Sequence, residues 1–266
     1  MKRKRAAGAA IAFLGLITCA NAVWAQDSRL PWSSTFDDGT FAAFNGGFRN
    51  TTGVTIESVG CQSGRCARAP LVAGTTNDNY GDFHFGDHYT IRGPKLEEVW
   101  LRFYSRFDPG ITWPNRSQKL AILNLTDGVT STRHYQVFIF IRPNGDYAVD
   151  HSYFVKWQFF GLLQNVGAIV QPRLGQWDKI KLRVRLNTPG VADGVVQMWV
   201  NDELKISHES VNIRESTAYG INKLNLSSYS TQAGQSAGFQ WWDSFVLATQ
   251  DPDGTVPRPP TDVRVD

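Results

Sequence analysis

The segment 177–187 constrains the fold more than any other part of the chain. Apolar and basic residues alternate along it: Ile180, Leu182, Val184 and Leu186 at one parity, and Lys179, Lys181, Arg183 and Arg185 at the other. Strict alternation predicts a β-strand with one buried face. The basic row is interpreted as the solvent-facing side of that strand. The alternative is that these basic residues bind a polyanion.

Other alternating or mostly apolar segments repeat this pattern, and Gly, Pro, Asn and Asp separate them. They are 100–107, 119–125, 134–142, 147–155, 195–201, 221–229 and 239–248. Segment 195–201 is expected to pair with 177–187. Helical periodicity is nearly absent. Many short strands separated by turn residues predict an all-β protein, a two-sheet antiparallel sandwich in a single domain at 26–250.

The first 25 residues are typical of an export signal. A basic stretch, 2–5, precedes a short apolar stretch, 6–17, and small residues lead to Ala25. We expect cleavage after Ala25, and a lipoprotein cut before Cys19 is the alternative. The mature protein is then secreted or periplasmic, without a membrane span. Its Pro-rich end, 251–266, is expected to be a loose tail.

Charge argues against a nucleic-acid partner once the signal is removed. The chain has 27 basic and 24 acidic residues, and four of the basic ones lie in the signal, which leaves 23 against 24. No nucleic-acid motif is present. Of the three cysteines, Cys19 leaves with the signal, so Cys61 and Cys66 are expected to form a disulfide in an oxidising compartment.

Several segments resemble a known family. The stretches 175–180, 186–190, 193–201 and 242–246, together with the arginine strand 102–107, resemble secreted polysaccharide lyases and lyase-like proteins of the concanavalin A-like jelly-roll class, a group that includes heparin lyase-like and laminin G-like proteins. The resemblance implies a jelly roll, a front-sheet position for 102–107, and β-elimination on a uronate-containing glycan without a redox cofactor. In segment 120–125, no histidine stands where heparin lyase-like relatives carry a Gln-Trp-His type motif.

The strands around Asn144-Gly145 supply a hypothetical active site. If these two residues form the whole hairpin loop, Phe138 lies opposite His151 and Gln136 opposite Tyr153. The β-elimination chemistry needs a group that offsets the uronate carboxylate, a base for the C5 proton and an acid for the departing oxygen. The assigned roles are as follows: Arg102 and Gln136 offset the carboxylate, His151 is the base and Tyr153 is the acid.

Substrate contacts are expected from neighbouring residues: Tyr104, Arg106, Lys119, His134 and Phe138. The alternative is that these are ordinary residues of a solvated sheet face. A longer turn would shift the register and break the grouping.

Two further clusters suggest metal ligands. His84 and His88, with Asp82 and Asp87, either bind a metal or decorate a loop. Three aspartates near the two chain ends, Asp37, Asp38 and Asp243, either hold a structural Ca²⁺ or act in turns and caps.

The leading interpretation is a polysaccharide lyase acting on an acidic glycan. The alternative is a non-catalytic glycan-binding module or envelope protein on the same fold. A glycoside hydrolase comes third, because the Glu-x-Asp-x-x-Glu strand that supplies its paired carboxylates on a jelly roll is absent from the sequence. The sequence specifies neither the sugar nor the oligomeric state.

Overall fold

The computed structural model describes residues 27–73, 78–113, 117–130, 135–153, 158–159 and 165–230, and finally 236–254, with only the backbone given at 158–159. The expected signal peptide, His134 and most of the expected tail lie outside these residues. No helix in the described part of the chain has the length and apolar character needed to cross a membrane.

The described strands, numbered in chain order, form two antiparallel sheets. In spatial order, the eight-stranded sheet contains β13 (Glu203–Val211), β12 (Gly194–Val200), β11 (Asp178–Arg185), β6 (Glu98–Phe107), β15 (Gly238–Ala248), β4 (Cys66–Leu71) and β3 (Thr55–Glu57), and β1 (Trp32–Ser34) also pairs with β15. The seven-stranded sheet contains β10 (Gln158–Phe159), β9 (Tyr147–Tyr153), β8 (Tyr135–Ile141), β7 (Gln118–Thr126), β14 (Gly220–Ser230), β5 (Asp78–His84) and β2 (Phe48–Arg49).

The core lies between the two sheets. Alternate residues of each strand point inward and are almost fully buried, such as Leu101 and Leu182 from one sheet and Val137 and Leu224 from the other. Burying one parity of each strand is what the alternating pattern predicts. The all-β antiparallel sandwich is therefore confirmed, as is the pairing of β11 with β12.

The β8–β9 hairpin has a longer loop than predicted. Ile141 pairs with Tyr147, and the Arg142 N–H donates to the Asp146 carbonyl at 2.8 Å, so three residues rather than two form the turn. Gly145 adopts a φ of 91°, the left-handed conformation that three-residue hairpin loops require. The extra residue shifts the register by one, and His151 lies opposite Val137.

The arginine strand β6 does not belong to the same sheet as the hairpin. It pairs with β11 on one side and β15 on the other, in the eight-stranded sheet. The expected front-sheet position beside the hairpin is therefore wrong. The predicted disulfide is confirmed: Cys61 and Cys66 are bonded, with their Cα atoms 5.4 Å apart.

The start of the expected tail packs on the sandwich. Asp251 forms an ion pair with Lys181 at 3.0 Å, and Asp253 forms one with Arg102 at 3.1 Å. Both lysine and aspartate of the first pair are nearly buried. Residues 251–254 are thus part of the outer layer of the eight-stranded sheet and not a loose linker.

Candidate functional site

The structure separates the four residues predicted to be catalytic. Gln136 lies on the outer face of the seven-stranded sheet, whereas His151 and Tyr153 share the inner parity with Val137. Arg102 lies on the outer face of the other sheet. The predicted grouping is wrong, because it depended on a two-residue turn and a common sheet.

His151 and Tyr153 line a groove at the side of the sandwich. The cavity has a volume of about 560 Å³. Its walls come from the ends of β8 and β9, from β13 and from the segment after β13, and include Tyr135, His208, Arg214 and Glu215. Tyr135 and Tyr153 stack with ring centres 4.7 Å apart. Burial lowers the pKa of His151 to about 4, so its imidazole is neutral at physiological pH.

Tyr104 and Arg106, predicted to bind substrate, also lie on the outer face of the eight-stranded sheet. The Arg106 guanidinium lies 4.1 Å from the centre of the Trp241 ring and donates to the Gly60 carbonyl at 2.7 Å. Three of the four basic residues of β11 have acidic partners: Lys179 pairs with Asp202 at 2.8 Å, Lys181 with Asp251 at 3.0 Å and Arg183 with Glu98 at 2.8 Å. Ion pairs therefore neutralise most of the positive charge of this row.

The outer face of the seven-stranded sheet carries buried polar residues at its centre, and we call it the recessed face. Outward-facing polar residues from four neighbouring strands, Asp82, Asn225, Asn124 and Gln136, are all less than a tenth exposed. A solvated sheet face would leave such side chains open to water. A recessed polar face on a central sheet is typical of a ligand site.

A continuous hydrogen-bond chain crosses this face. The Gln136 amide donates to Asn124 Oδ1 at 2.7 Å, Asn124 donates to Asn225, and Asn225 donates to Asp82. At the end of the chain, Lys223 Nζ forms an ion pair with Asp82 Oδ2 at 2.5 Å. Because a carboxylate accepts and cannot donate, Asp82 fixes the direction of every amide in the row.

One end of the face carries phenols and cations. Tyr229 of β14 lies opposite Lys119 of β7, and Lys119 Nζ is 5.3 Å from the Tyr229 ring centre and 4.6 Å from that of Phe138. Tyr80 of β5 lies diagonally across from Tyr229 and accepts a 3.5 Å contact from Arg49. All these side chains except Phe138 are at least partly exposed. Lys119 and Phe138, both predicted to bind substrate, are therefore on this face.

The other end carries a stacked pair of histidines. The rings of His84 and His88 are 3.8 Å apart, and the Nδ1 atoms lie 3.0 and 2.8 Å from Thr90 Oγ1. Burial lowers both pKa values, that of His88 to about 3, and Lys223 lowers them further. Both imidazoles are neutral at physiological pH.

The predicted metal clusters do not converge on an ion. The Asp37 carboxylate accepts from the Arg65 N–H at 2.8 Å, Asp38 accepts from the Thr40 N–H at 2.9 Å, and Asp243 accepts from the Ser63 N–H at 2.9 Å. These are the turn roles held as the alternative. Among the described residues, no group of three or more His, Cys, Asp or Glu side chains is placed to hold a metal.

Tyr80 and Asn124 of this face were not predicted from the sequence, and neither were three residues of β14. Lys223, Asn225 and Tyr229 belong to one parity of β14, whose other parity includes Leu224 and Leu226. That alternation was a detectable signal, but nothing in the sequence placed β14 beside β7.

The site lies on a fold shared with polysaccharide lyases. Residues 152–238, about a third of the chain, match the family model of polysaccharide lyase 14. No curated protein sequence matches the chain significantly. The matched segment includes β14, which supplies Tyr229 and Lys223.

Solved structures of lyases show the same architecture at low identity. The PL-14 alginate lyase from Aplysia kurodai is 11% identical with a TM-score of 0.59, covering 82% of this chain and 98% of that one. The endo-β-1,4-glucuronan lyase from the fungus Trichoderma reesei is 12% identical with a TM-score of 0.52, covering 86% and 92%. A lysine and tyrosine double mutant of alginate lyase Aly36B, in complex with an alginate tetrasaccharide, is 12% identical with a TM-score of 0.53, covering 85% and 96%.

These similarities show that the chain has the jelly-roll sandwich fold that these lyases also have. The heparin lyase-like and laminin G-like labels drawn from the sequence are not confirmed by them.

Proposed function

We propose that this protein is an exported polysaccharide lyase that cleaves an acidic, uronate-containing glycan on the outer face of its seven-stranded sheet. The observation that carries the proposal is the pairing of Lys119 with Tyr229 on a recessed polar face. The family match, and the alginate and glucuronan lyases that share the fold, support the same reaction class.

The phenol and cation end contains the groups that β-elimination needs. Lys119 is placed to offset the negative charge that develops on the uronate when C5 loses its proton. Tyr229 and Tyr80 supply two phenol oxygens for proton transfer. Diagonal neighbours on a sheet lie about 7–8 Å apart, so Tyr80 and Tyr229 are placed to contact the same sugar residue.

In this reaction one tyrosine acts as its phenolate and takes the C5 proton, while the other gives its hydroxyl proton to the leaving glycosidic oxygen. The two tyrosines end the step with their protonation states exchanged, and proton exchange with solvent restores them. The C4–O4 bond breaks and a C4=C5 double bond forms, so no oxidant or reductant is consumed. The amide row between Gln136 and Asp82 fixes the floor of the site, and this preorganisation spares the cost of aligning side chains when substrate binds.

The test is a product assay on the purified mature chain. Alginate, glucuronan, pectate and glycosaminoglycans are each incubated with the protein, and the ultraviolet absorbance of the unsaturated uronate is followed. We expect product from at least one of them and its loss in Lys119→Ala. Lys95→Ala is the matched control, because Lys95 contacts the Thr217 carbonyl away from this face.

The glycan-binding module is the competing function. Retention of the wild-type protein in affinity gels containing these glycans, with no unsaturated product from any of them, would establish the binder and refute the lyase.

A further inference from the structure

The two ends of the recessed face are too far apart to contact one sugar residue. Tyr229 and Lys223 are six residues apart on β14, which corresponds to about 20 Å at the rise of a β-strand. Lys119 pairs with Tyr229 at one end, and His84 pairs with Lys223 at the other. A glycan that reaches both ends must therefore contain several sugar residues.

The far end presents an exposed aromatic ring, and two stacked histidines connect this ring to a cation on the sheet. Tyr89 is 42% exposed, more than any other aromatic side chain among the described residues, and its ring centre lies 4.4 Å from that of His88. His88 in turn stacks on His84, whose strand neighbour is Lys223. The amphipathic ring of tyrosine is suited to a contact that is apolar on one side and wet on the other.

Hydrogen bonds around Thr90 hold this stack in one arrangement. The Thr90 N–H donates to His88 Nδ1 at 3.3 Å, so that nitrogen carries no proton. The Thr90 hydroxyl has one proton and gives it to the same nitrogen, at 2.8 Å. His84 must then donate its own Nδ1–H to Thr90 Oγ1 at 3.0 Å.

The turn that carries Tyr89 is anchored to the sheet. The Asn222 amide donates to the Asp87 carbonyl at 2.8 Å and to Thr126 Oγ1 at 2.8 Å. The Asn45 side chain holds the His84 backbone at both its N–H and its carbonyl, at 2.7 and 2.9 Å. Because these hydrogen bonds already order the turn, little conformational entropy is lost when a ligand binds to Tyr89.

Lys223, the cation at this end of the face, is also held in place. Lys223 is 18% exposed and bound to the nearly buried Asp82, which also accepts from Asn225. An ammonium group has three donors, and the ion pair with Asp82 leaves donors for a ligand oxygen. Because Asp82 balances the charge of Lys223, the two side chains together carry no net charge.

We propose that Tyr89 and Lys223 form a distal sugar-binding subsite, about 20 Å from the reacting groups, that makes this protein select long glycan chains over short oligosaccharides. The ligand is a pyranose residue whose CH face packs on Tyr89 and whose hydroxyl or carboxylate oxygen accepts from Lys223. This inference rests on the proposed function for its reaction, because binding energy from a remote sugar is what the subsite would add.

The experiment measures kcat/KM and binding affinity across a series of oligosaccharides of increasing length from the glycan that is cleaved. For Tyr89→Ala we expect a loss of roughly tenfold on long chains, the size of one lost stacking contact, and no loss on the shortest substrates. Lys223→Ala should lose at least as much on long chains, because it also removes the partner of Asp82. Tyr89→Phe and Lys223→Arg should retain most of the length preference. Tyr104→Ala, on the opposite sheet, is the matched control.

An equal loss at every length, or no loss on the longest chains, would overturn the subsite. Absence of unsaturated product from the wild-type protein on every glycan would instead refute the lyase. In that case the subsite is still tested, because tryptophan fluorescence titration with long and short oligosaccharides measures affinity without turnover. Equal affinities of wild type and Tyr89→Ala for the long chains would overturn it.

Discussion

Tyr229 lies directly opposite Lys119 in the pairing of β14 with β7, and the ammonium group of Lys119 is 5.3 Å from the centre of the phenol ring. Both side chains are partly exposed, although many of their polar neighbours on the same face are buried. A cation and a protonatable oxygen thus face the same opening.

Replacing Tyr229 by phenylalanine tests the proton-transfer role. The ring and its contact with Lys119 remain, while the hydroxyl is lost, so we expect kcat to fall by roughly 100-fold or more with little change in KM. Steady-state kinetics on the cleaved glycan measure both constants. Tyr104→Phe removes a hydroxyl from the opposite sheet and should leave both unchanged; wild-type kcat in Tyr229→Phe would exclude the hydroxyl from the reaction.

His151→Ala is expected to keep its activity. The imidazole lines the side groove and has the inner parity of β9, away from the Lys119 and Tyr229 end. Its removal from a nearly buried position should instead lower the free energy of unfolding by about 1–3 kcal/mol. Urea denaturation and the product assay report the two effects separately. A folded His151→Ala protein without turnover would restore the side groove as the reaction site.

Stability should fall as the pH drops below the ordinary histidine pKa. Burial lowers the pKa of His151 to about 4 and that of His88 to about 3, from 6.5 in the unfolded chain. Because the unfolded state binds more protons in this window, the free energy of unfolding decreases as the pH falls from 6.5 towards these values.

Each histidine contributes a slope of at most about 1.4 kcal/mol per pH unit in that window. Urea denaturation at a series of pH values measures the slope, and His88→Asn and His151→Asn should each make it shallower. Identical slopes in the wild type and both variants would show that these imidazoles titrate normally.

Gly46→Ala should disturb the far end of the recessed face. A Cβ at Gly46 would lie 2.5 Å from His84 Nε2 and 2.7 Å from Asp82 Cβ, distances that force one of them to move. We expect a loss of about 1–3 kcal/mol in the free energy of unfolding, typical of an overpacked site. Gly110→Ala is the matched control, because no heavy atom lies within 4 Å of its added Cβ. Thermal or urea unfolding distinguishes them, and equal stability of the two variants would contradict the steric argument.

The sandwich could be predicted because several of its longer strands alternate and others are mostly apolar. β11, with Ile180 and Leu182 inward and Lys181 and Arg183 outward, follows the pattern residue by residue. The shorter strands β1, β2 and β3 could not be found this way, since two or three residues do not establish a period. β5 was read as a histidine-containing loop, because Asp82 and His84 hide its alternation.

The composition of the candidate site was harder to predict than the fold. Whether Asn144-Gly145 closes a two-residue or a three-residue loop changes the local sequence signal little, yet it moves His151 from one side of the sheet to the other. Which strands become neighbours across the sheet depends on long-range packing. Lys119 could therefore be named as a substrate contact while its partner Tyr229 was not.

Asp251 and Asp253 occupy the cations on the outer face of the eight-stranded sheet, which limits the number of surfaces that can bind a polyanion. A polyanion that binds this side would have to displace these two carboxylates from Lys181 and Arg102. Because the carboxylates belong to the same chain, their effective concentration at these cations is high. If the proposed function holds, each protein molecule should therefore bind glycan on its seven-stranded sheet alone, and so should not cross-link neighbouring glycan strands.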